Sequence, residues 1–381
     1  MKKFVIICDS FKGCLSSDDV EKSIEEGILQ EYPSAKVCCI PMADGGEGML
    51  DVMMRLSGGK TVKVNSHDAL MRPIQTQYGV LNDGVTAVIE MAKASGLPLL
   101  QKQEQDPMIT TSFGTGEIIH HALSEGYQKL IIGIGGSATN DGGMGMLQAL
   151  GVKFFDTKGN LLETGCGKLL SAVNAIDCTE FRKLTHNVSV TVACDVDNRL
   201  CGPNGATFVF APQKGATTEQ VLILDQGMYS YAQRVKQATG WNIEELPGAG
   251  AAGGMGGALA AFFHASLIPG TELLLDTADF KNKIHGASFI ITGEGKADKQ
   301  TLMGKVSSGV LKAGRKAGIP VVLLAGSVTD VEELNLAGFS AVLSITPRPM
   351  SLEDAMNPSE TKQNLKNTTI QLTRLLHHFA K

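Results

Sequence analysis

The chain of 381 residues has no surplus of positive charge, few aromatic residues and none of the close cysteine pairs that staple small folds. Lys plus Arg number 34 against 39 Asp plus Glu, a formal net charge of −5, so the electrostatic footprint of a nucleic-acid binder is missing. Aromatic residues make up 5% of the chain, too few to offer stacking platforms to single strands. None of the eight cysteines falls in a C-x-x-C pair. Cys38 and Cys39 are adjacent on a strand-like run and point to opposite faces, while Cys8, Cys178 and Cys194 lie in or near apolar runs. The expectation is reduced thiols in a cytoplasmic protein, not a disulfide or zinc framework. His120–His121 and His377–His378 lack an H-E-x-x-H context and receive no metal role.

Long apolar runs are missing too. Phe4–Cys8 is too short for a signal peptide and ends at Asp9. Pro247 to Gly270 carries no Asp, Glu, Lys or Arg and contains the G-x-x-x-G pairs Gly250/Gly254 and Gly253/Gly257. It is mostly Gly and Ala, holds His264 and would be a lone span, so no membrane insertion is expected. Three catalytic signatures are absent as well: the G-x-x-x-x-G-K-[ST] loop, the H-R-D and D-F-G set of protein kinases, and the G-x-S-x-G elbow of hydrolases. The chain has no internal repeat and no low-complexity tail.

Glycine is what the sequence has in excess, 44 residues against a usual share of about 7%. It gathers in blocks beside acids and hydroxyls, which favours ligand loops over disorder. The organising block is Lys129–Gly151, KLIIGIGGSATNDGGMGMLQALG. A strand-like run, Leu130–Ile134, leads into glycines interleaved with Ser137, Thr139, Asn140 and Asp141, and helical spacing resumes at Met146. Such strand-to-helix turns aim N–H groups at an anion, and glycine lets a phosphate approach the main chain. An acid among those donors repels a bare phosphate but suits one bound through Mg²⁺. Two other readings use the same letters. Gly133, Gly135 and Ala138 match G-x-G-x-x-A, with Asp156 as a ribose-binding acid, which is the dinucleotide reading; alternatively, the turn serves close packing alone.

In chain order, FVIIC (4–8) is a strand delivering Asp9, Ser10 and Lys12, followed by a helix from Ser16 to Tyr32 and a strand at 35–41 that runs into MADGGEGM. From Lys60 the rhythm turns to β through TVKVN, PIQTQYGV and VTAVIEMA, with a turn at Asn82-Asp83-Gly84. A glycine-led helix at 113–126 feeds the central block. SVTVAC ends at Asp195 and Asp197; 202–216 reads as loop, short strand and loop; and the Gly-Ala block 248–261 opens a helix. After Asp276 the βα alternation returns, with a strand ending at Glu294. The fold class is therefore α/β: a doubly wound, flavodoxin- or Rossmann-like parallel-sheet domain built from both termini (1–65 and 283–381), with a second, different α/β domain (66–282) inserted.

Asp9, Asp44, Asp141, Asp195 and the pair Glu294/Asp298 share one grammar, a hydrophobic strand and then glycine with an acid. Singly each reads as a cap or turn acid; together they point to a Mg²⁺-dependent enzyme acting on a phosphorylated ligand.

DSFKG (9–13), PMADGGEG (41–48), FGTGE (113–117), GIGGSATNDGGMGM (133–146), CDVDN (194–198), APQKGA (211–216), PGAGAAGGMGGAL (247–259) and GEGKADKQTLMGK (293–305) together resemble, in order, the signature blocks of the type I family of bacterial glycerate kinases. Cys14 and Met144 vary beside the polar residues and leave them intact. The resemblance implies phosphoryl transfer from ATP, with Mg²⁺, to D-glycerate, and two different α/β domains with the active site in their cleft. The catalytic candidates are Asp195, Asp141, Lys12 and Asp9. Gly135, Gly136, Ser137, Thr139, Asn140, Gly253, Gly254, Glu294 and Lys305 are the candidates for holding ATP, and Asp44, Asp195 and Asp298 for holding the metal. Spacing does not separate base from metal ligand; Lys12 or Lys305 would offset charge on the transferred group. The 2- and 3-phosphoglycerate products both stay open, with the 2-phospho product adopted as the expectation. An NAD-linked oxidoreductase using the 133–138 turn and a non-catalytic small-acid-binding protein are the rival functions. A small-molecule substrate is expected, without nucleic acid or membrane; a homo-oligomer stays open.

Overall fold

The structure, a computed structural model, describes residues 2–42, 48–303 and 306–379. Among them the strands run β1 Lys3–Cys8, β2 Lys36–Cys39, β3 Lys60–His67, β4 Pro73–Val80, β5 Thr86–Glu90, β6 Lys129–Gly133, β7 Lys153–Phe155, β8 Ala175–Asp177, β9 Ser189–Ala193, β10 Ser266–Ile268, β11 Phe289–Ala297, β12 Val321–Val328 and β13 Ala341–Ser344. The chain divides into two compact units, 1–44 with 271–381 and 45–270. Residues 45–65 and 271–282 thus change sides relative to the expected boundaries. On the first side, β3 pairs with β4 along its whole length, and helix Met49–Ser57 packs on β4 and β5. On the second, Thr271 packs beneath Gly309, and helix Phe280–Ile284 packs on helix Val306–Ala317.

The first unit holds the five-stranded sheet β13-β12-β11-β1-β2, parallel throughout. Numbered within the unit, this is the order 2-1-3-4-5 of flavodoxin-like winding, with the direction of winding reversing between β1 and β11. A parallel sheet covered on both faces needs strands that are apolar throughout, and Phe4, Val5, Ile6, Ile7 and Cys8 are all fully buried. Helix Ser17–Glu31 starts where the Ser16 hydroxyl accepts the Asp19 N–H (3.2 Å) and buries Val20, Ile24 and Ile28 at a four-residue spacing. Gly27 lets helix Pro358–Phe379 lie close: a Cβ there would stand 2.8 Å from the Lys366 carbonyl oxygen.

The second unit holds the six-stranded sheet β10-β9-β6-β5-β4-β3. β5, β6, β9 and β10 are mutually parallel, while β3, β4 and β5 form the antiparallel meander expected from the change of rhythm at Lys60. The turn before β5 closes as its sequence suggests, with the Asp83 carboxylate accepting the Val85 and Thr86 N–H groups. β7 and β8 form a separate antiparallel pair. The strand expected within 202–216 is instead helix Ala206–Phe210 followed by a 3₁₀ turn, Pro212–Lys214. Ala206 and Thr207 are buried while Phe208 and Val209 face outward, a burial that runs in pairs and does not alternate. The Gly-Ala block does form helix Ala251–Phe263, but Ala252, Gly253 and Gly254 turn left-handed near its start. No described helix is long and apolar enough to cross a membrane.

Candidate active site

In the first unit, chemistry collects where the winding reverses, at the carboxyl end of β1. There the Asp9 N–H donates to the Gly293 carbonyl of β11 (2.9 Å). The Asp9 carboxylate is 7% exposed and accepts the Ser10 N–H (2.7 Å). β11 continues past this point, so buried Glu294 follows directly, and the main chain of Phe11–Lys12 runs beside Gly295. Lys12 is exposed on a tight turn closed by Phe11 and Leu15. Asp9, Lys12 and Glu294 are thus brought to one sheet edge. Asp298, at the end of β11, caps the 3₁₀ helix Lys299–Leu302 by accepting the Gln300 N–H (2.8 Å), and it pairs with Lys296 (3.0 Å). Glu21 was missed by the sequence reading. It is buried inside helix Ser17–Glu31, accepts the Cys8 N–H (3.4 Å), and helps burial push the Cys8 thiol up.

In the second unit, β6 delivers the glycine turn, with Gly136, Gly142 and Gly143 at φ of 68°, 61° and 72°. Gly135 and Gly136 are half-buried and Ser137 is 6% exposed, while Thr139, Asn140 and Asp141 are fully buried. Asp141 is enclosed and surrounded by donors. Its Oδ2 accepts the Ser112 N–H (2.8 Å), the Ser112 hydroxyl (2.7 Å) and the Gly145 N–H (3.2 Å), and its Oδ1 accepts the Gly143 N–H (3.1 Å). Burial pushes this carboxyl up, with the four donors opposing only in part. The residue braces the turn against the start of helix Phe113–Ser124. Gly253 and Gly254 are turned onto the same segment. The Gly142 N–H donates to the Gly253 carbonyl (2.9 Å), and a Cβ at Gly254 would lie 2.7 Å from Gly142 Cα. Their close approach is thus backbone on backbone.

Lys214 completes this cluster, and nothing in its spacing singled it out. It is 1% exposed and donates to Ser137 Oγ (2.8 Å) and the Thr139 carbonyl (2.7 Å). Asn140 Nδ2 donates to Thr207 Oγ1 (3.1 Å), while Thr139 Oγ1 and Asn140 Oδ1 are buried with no hydrogen-bond partner. Burial lowers the Lys214 ammonium to about 7, against the opposing pull of Asp141. Between about 7 and the ordinary 10.5 the unfolded chain therefore holds a proton that the folded chain has released, so this group makes stability rise with pH across that window. Lys214→Met should flatten the rise. Melting temperatures of both proteins from pH 7 to 10 test it, and parallel curves would show that Lys214 stays charged.

Asp195 is exposed just past β9, where its Oδ1 accepts the Gly270 N–H (2.8 Å). Asp44 and Lys305 lie outside the described residues. Among the described residues no three His, Cys, Asp or Glu side chains converge as a metal-ligating group.

The sequence model of the glycerate kinase family matches residues 4–377. The chain belongs to the glycerate kinase family. It is 43% identical over 354 residues to a glycerate kinase from Bacillus subtilis, covering 93% of this chain and 92% of that one. It is 42% identical to a glycerate 2-kinase from Escherichia coli K12, covering 93% of each. A crystal structure reported as glycerate kinase 2 from Salmonella typhimurium LT2 superposes with a TM-score of 0.87 at 40% identity, covering 100% of this chain and 99% of that one.

Nothing supports either rival once the chain is placed in the glycerate kinase family. The dinucleotide reading also fails on its own geometry, because β7, which should carry the ribose-binding acid, belongs to the separate β7–β8 pair and not to the parallel sheet. Asp156 accepts the Lys158 and Asn160 N–H groups of its own turn (both 2.8 Å).

Proposed function

We propose that this member of the glycerate kinase family transfers the γ-phosphoryl group of ATP to D-glycerate, with Mg²⁺, giving ADP and 2-phosphoglycerate. The observation that carries this reading is the likeness along nearly the whole chain to proteins named glycerate kinase, one of them a glycerate 2-kinase. The glycine turn supports it: half-buried Gly135 and Gly136 leave main-chain N–H groups available for phosphate oxygens. Asp141 and Lys214 hold that turn in shape.

Bound with ATP, Mg²⁺ neutralises charge on the transferring group and needs only one or two protein carboxylates. Asp195, an exposed carboxylate at a sheet edge, has the chemistry to be one of them; Asp298 is engaged by Lys296 and by its cap. Asp9 and Lys12 act at the switch point, the first on a hydroxyl proton and the second on anionic charge. We place the enzyme in the cytoplasm, where all eight cysteines would remain the free thiols they are here. The test is NMR of the product formed from D-glycerate and MgATP. A phosphomonoester on the 2-hydroxyl is expected. Absence of any phosphorylated glycerate overturns the reading, and a 3-phospho product corrects its regiochemistry.

A further inference from the structure

Glu90 is the last residue of β5 and stands in register with Gly133 of β6, two residues before the glycine turn opens at Gly135. A carboxylate on a strand buried along its length is costly unless both oxygens are used. Glu90 is 2% exposed, and its Oε1 accepts the Gly48 N–H at the start of helix Met49–Ser57 (2.8 Å). Its Oε2 is buried and has no hydrogen-bond partner. Burial pushes the group up, with the Gly48 N–H, Lys93 and the Leu50 N–H opposing.

Glu90 also lines a cavity of about 500 Å³, within the usual range for small-molecule sites. Its other polar walls are Lys63, Gln75, Thr76, Gln77 and Lys93. Lys63 and Gln77 face each other across the β3–β4 pair, and Lys93 sits 3.9 Å from Asp51 at the rim. This chemistry does not suit a nucleobase, since no aromatic side chain is in the lining. It suits a small molecule that donates from a hydroxyl and carries a negative charge: the carboxylate oxygen takes the hydroxyl proton as an acceptor, and the two lysines and two amides meet the anion.

We propose that this cavity is the acceptor subsite, taking a short hydroxy acid with the hydroxyl that is not phosphorylated hydrogen-bonded to Glu90 and its carboxylate toward Lys63 and Lys93. Register sets Glu90 one strand away from the turn to which the phosphate is assigned. The proposal rests on the phosphoryl-transfer reading above and adds the residues that choose the acceptor.

Glu90→Gln keeps the size and the oxygen that caps helix Met49–Ser57 while removing the charge; Lys63→Met alters an exposed strand position and covers the case in which the first variant fails to fold. For both, steady-state kinetics with D-glycerate and MgATP should show KM for glycerate raised about tenfold or more, as for loss of a hydrogen bond to a charged group. KM for ATP should stay within about twofold, the pattern of a lost acceptor contact. Wild-type KM for glycerate in a folded Glu90→Gln, or in Lys63→Met if that variant alone folds, overturns the subsite and leaves the kinase reading standing. A wild-type enzyme that fails to phosphorylate glycerate overturns both.

Discussion

Asp195→Asn is expected to lower kcat by about 10²–10⁴-fold, the range for loss of a positioned acid–base group, with the melting temperature almost unchanged. The stability half follows from geometry. Asp195 is exposed, and its Oδ1 receives the Gly270 main-chain N–H, which the amide oxygen of asparagine can also accept. The activity half follows from charge: the carboxylate stands past the end of β9, at the edge where ligands gather in open α/β sheets. A Mg²⁺ titration separates its two roles. A metal ligand leaves a variant whose rate recovers as Mg²⁺ rises, whereas a base leaves one whose rate does not. Wild-type turnover at saturating MgATP would remove Asp195 from the catalytic set.

Asp141→Ala should act in the opposite way, through the fold. It strips the acceptor from Ser112, Gly143 and Gly145 and leaves Lys214 buried without its nearby carboxylate. Removing one side of a buried charged network typically costs about 3–5 kcal/mol, so the urea midpoint should fall steeply. Asp141→Asn retains an acceptor oxygen and should lose less. An alanine variant with the wild-type midpoint and no turnover would return Asp141 to the chemistry.

These two aspartates show what could be read from sequence. Both follow an apolar strand and sit by glycine or a second acid, and letters alone treat them alike. Burial divides them, and burial is settled by what arrives from elsewhere in the chain: the Ser112 hydroxyl and main chain close over Asp141, while Asp195 stays exposed with the Gly270 N–H on its Oδ1. The strands were legible for a related reason. Phe4–Cys8 and Leu130–Gly133 are apolar because parallel sheets are covered on both faces, and that pattern is local. ATFVF, β-branched and aromatic, carried the same local signal and became a helix, because the chain turns at Gly202 (φ 85°) and Ala206 and Thr207 then pack inward while Phe208 and Val209 face out. Glu90 and Lys214 escaped notice because a charged residue in an apolar stretch declares its position and not its partners. The doubly wound domain built from both termini was legible, whereas the choice between flavodoxin-like and Rossmann-like order was not, since it depends on which strand from the far end of the chain pairs with β1.

That pairing has a consequence on the ribosome. β1 has β2 on one side within the first forty residues, but its other neighbour, β11, is not made until Phe289 and beyond. At about 5–20 residues per second, the wait is on the order of tens of seconds. During it the wholly apolar strand Phe4–Cys8 lacks its partner on the β11 side, while the whole of 45–270 has been made and can condense as a unit of its own. The nascent chain therefore completes its middle first. β1 is left with one apolar side uncovered until β11 is made, and slowing translation between 45 and 270 should lengthen that exposure.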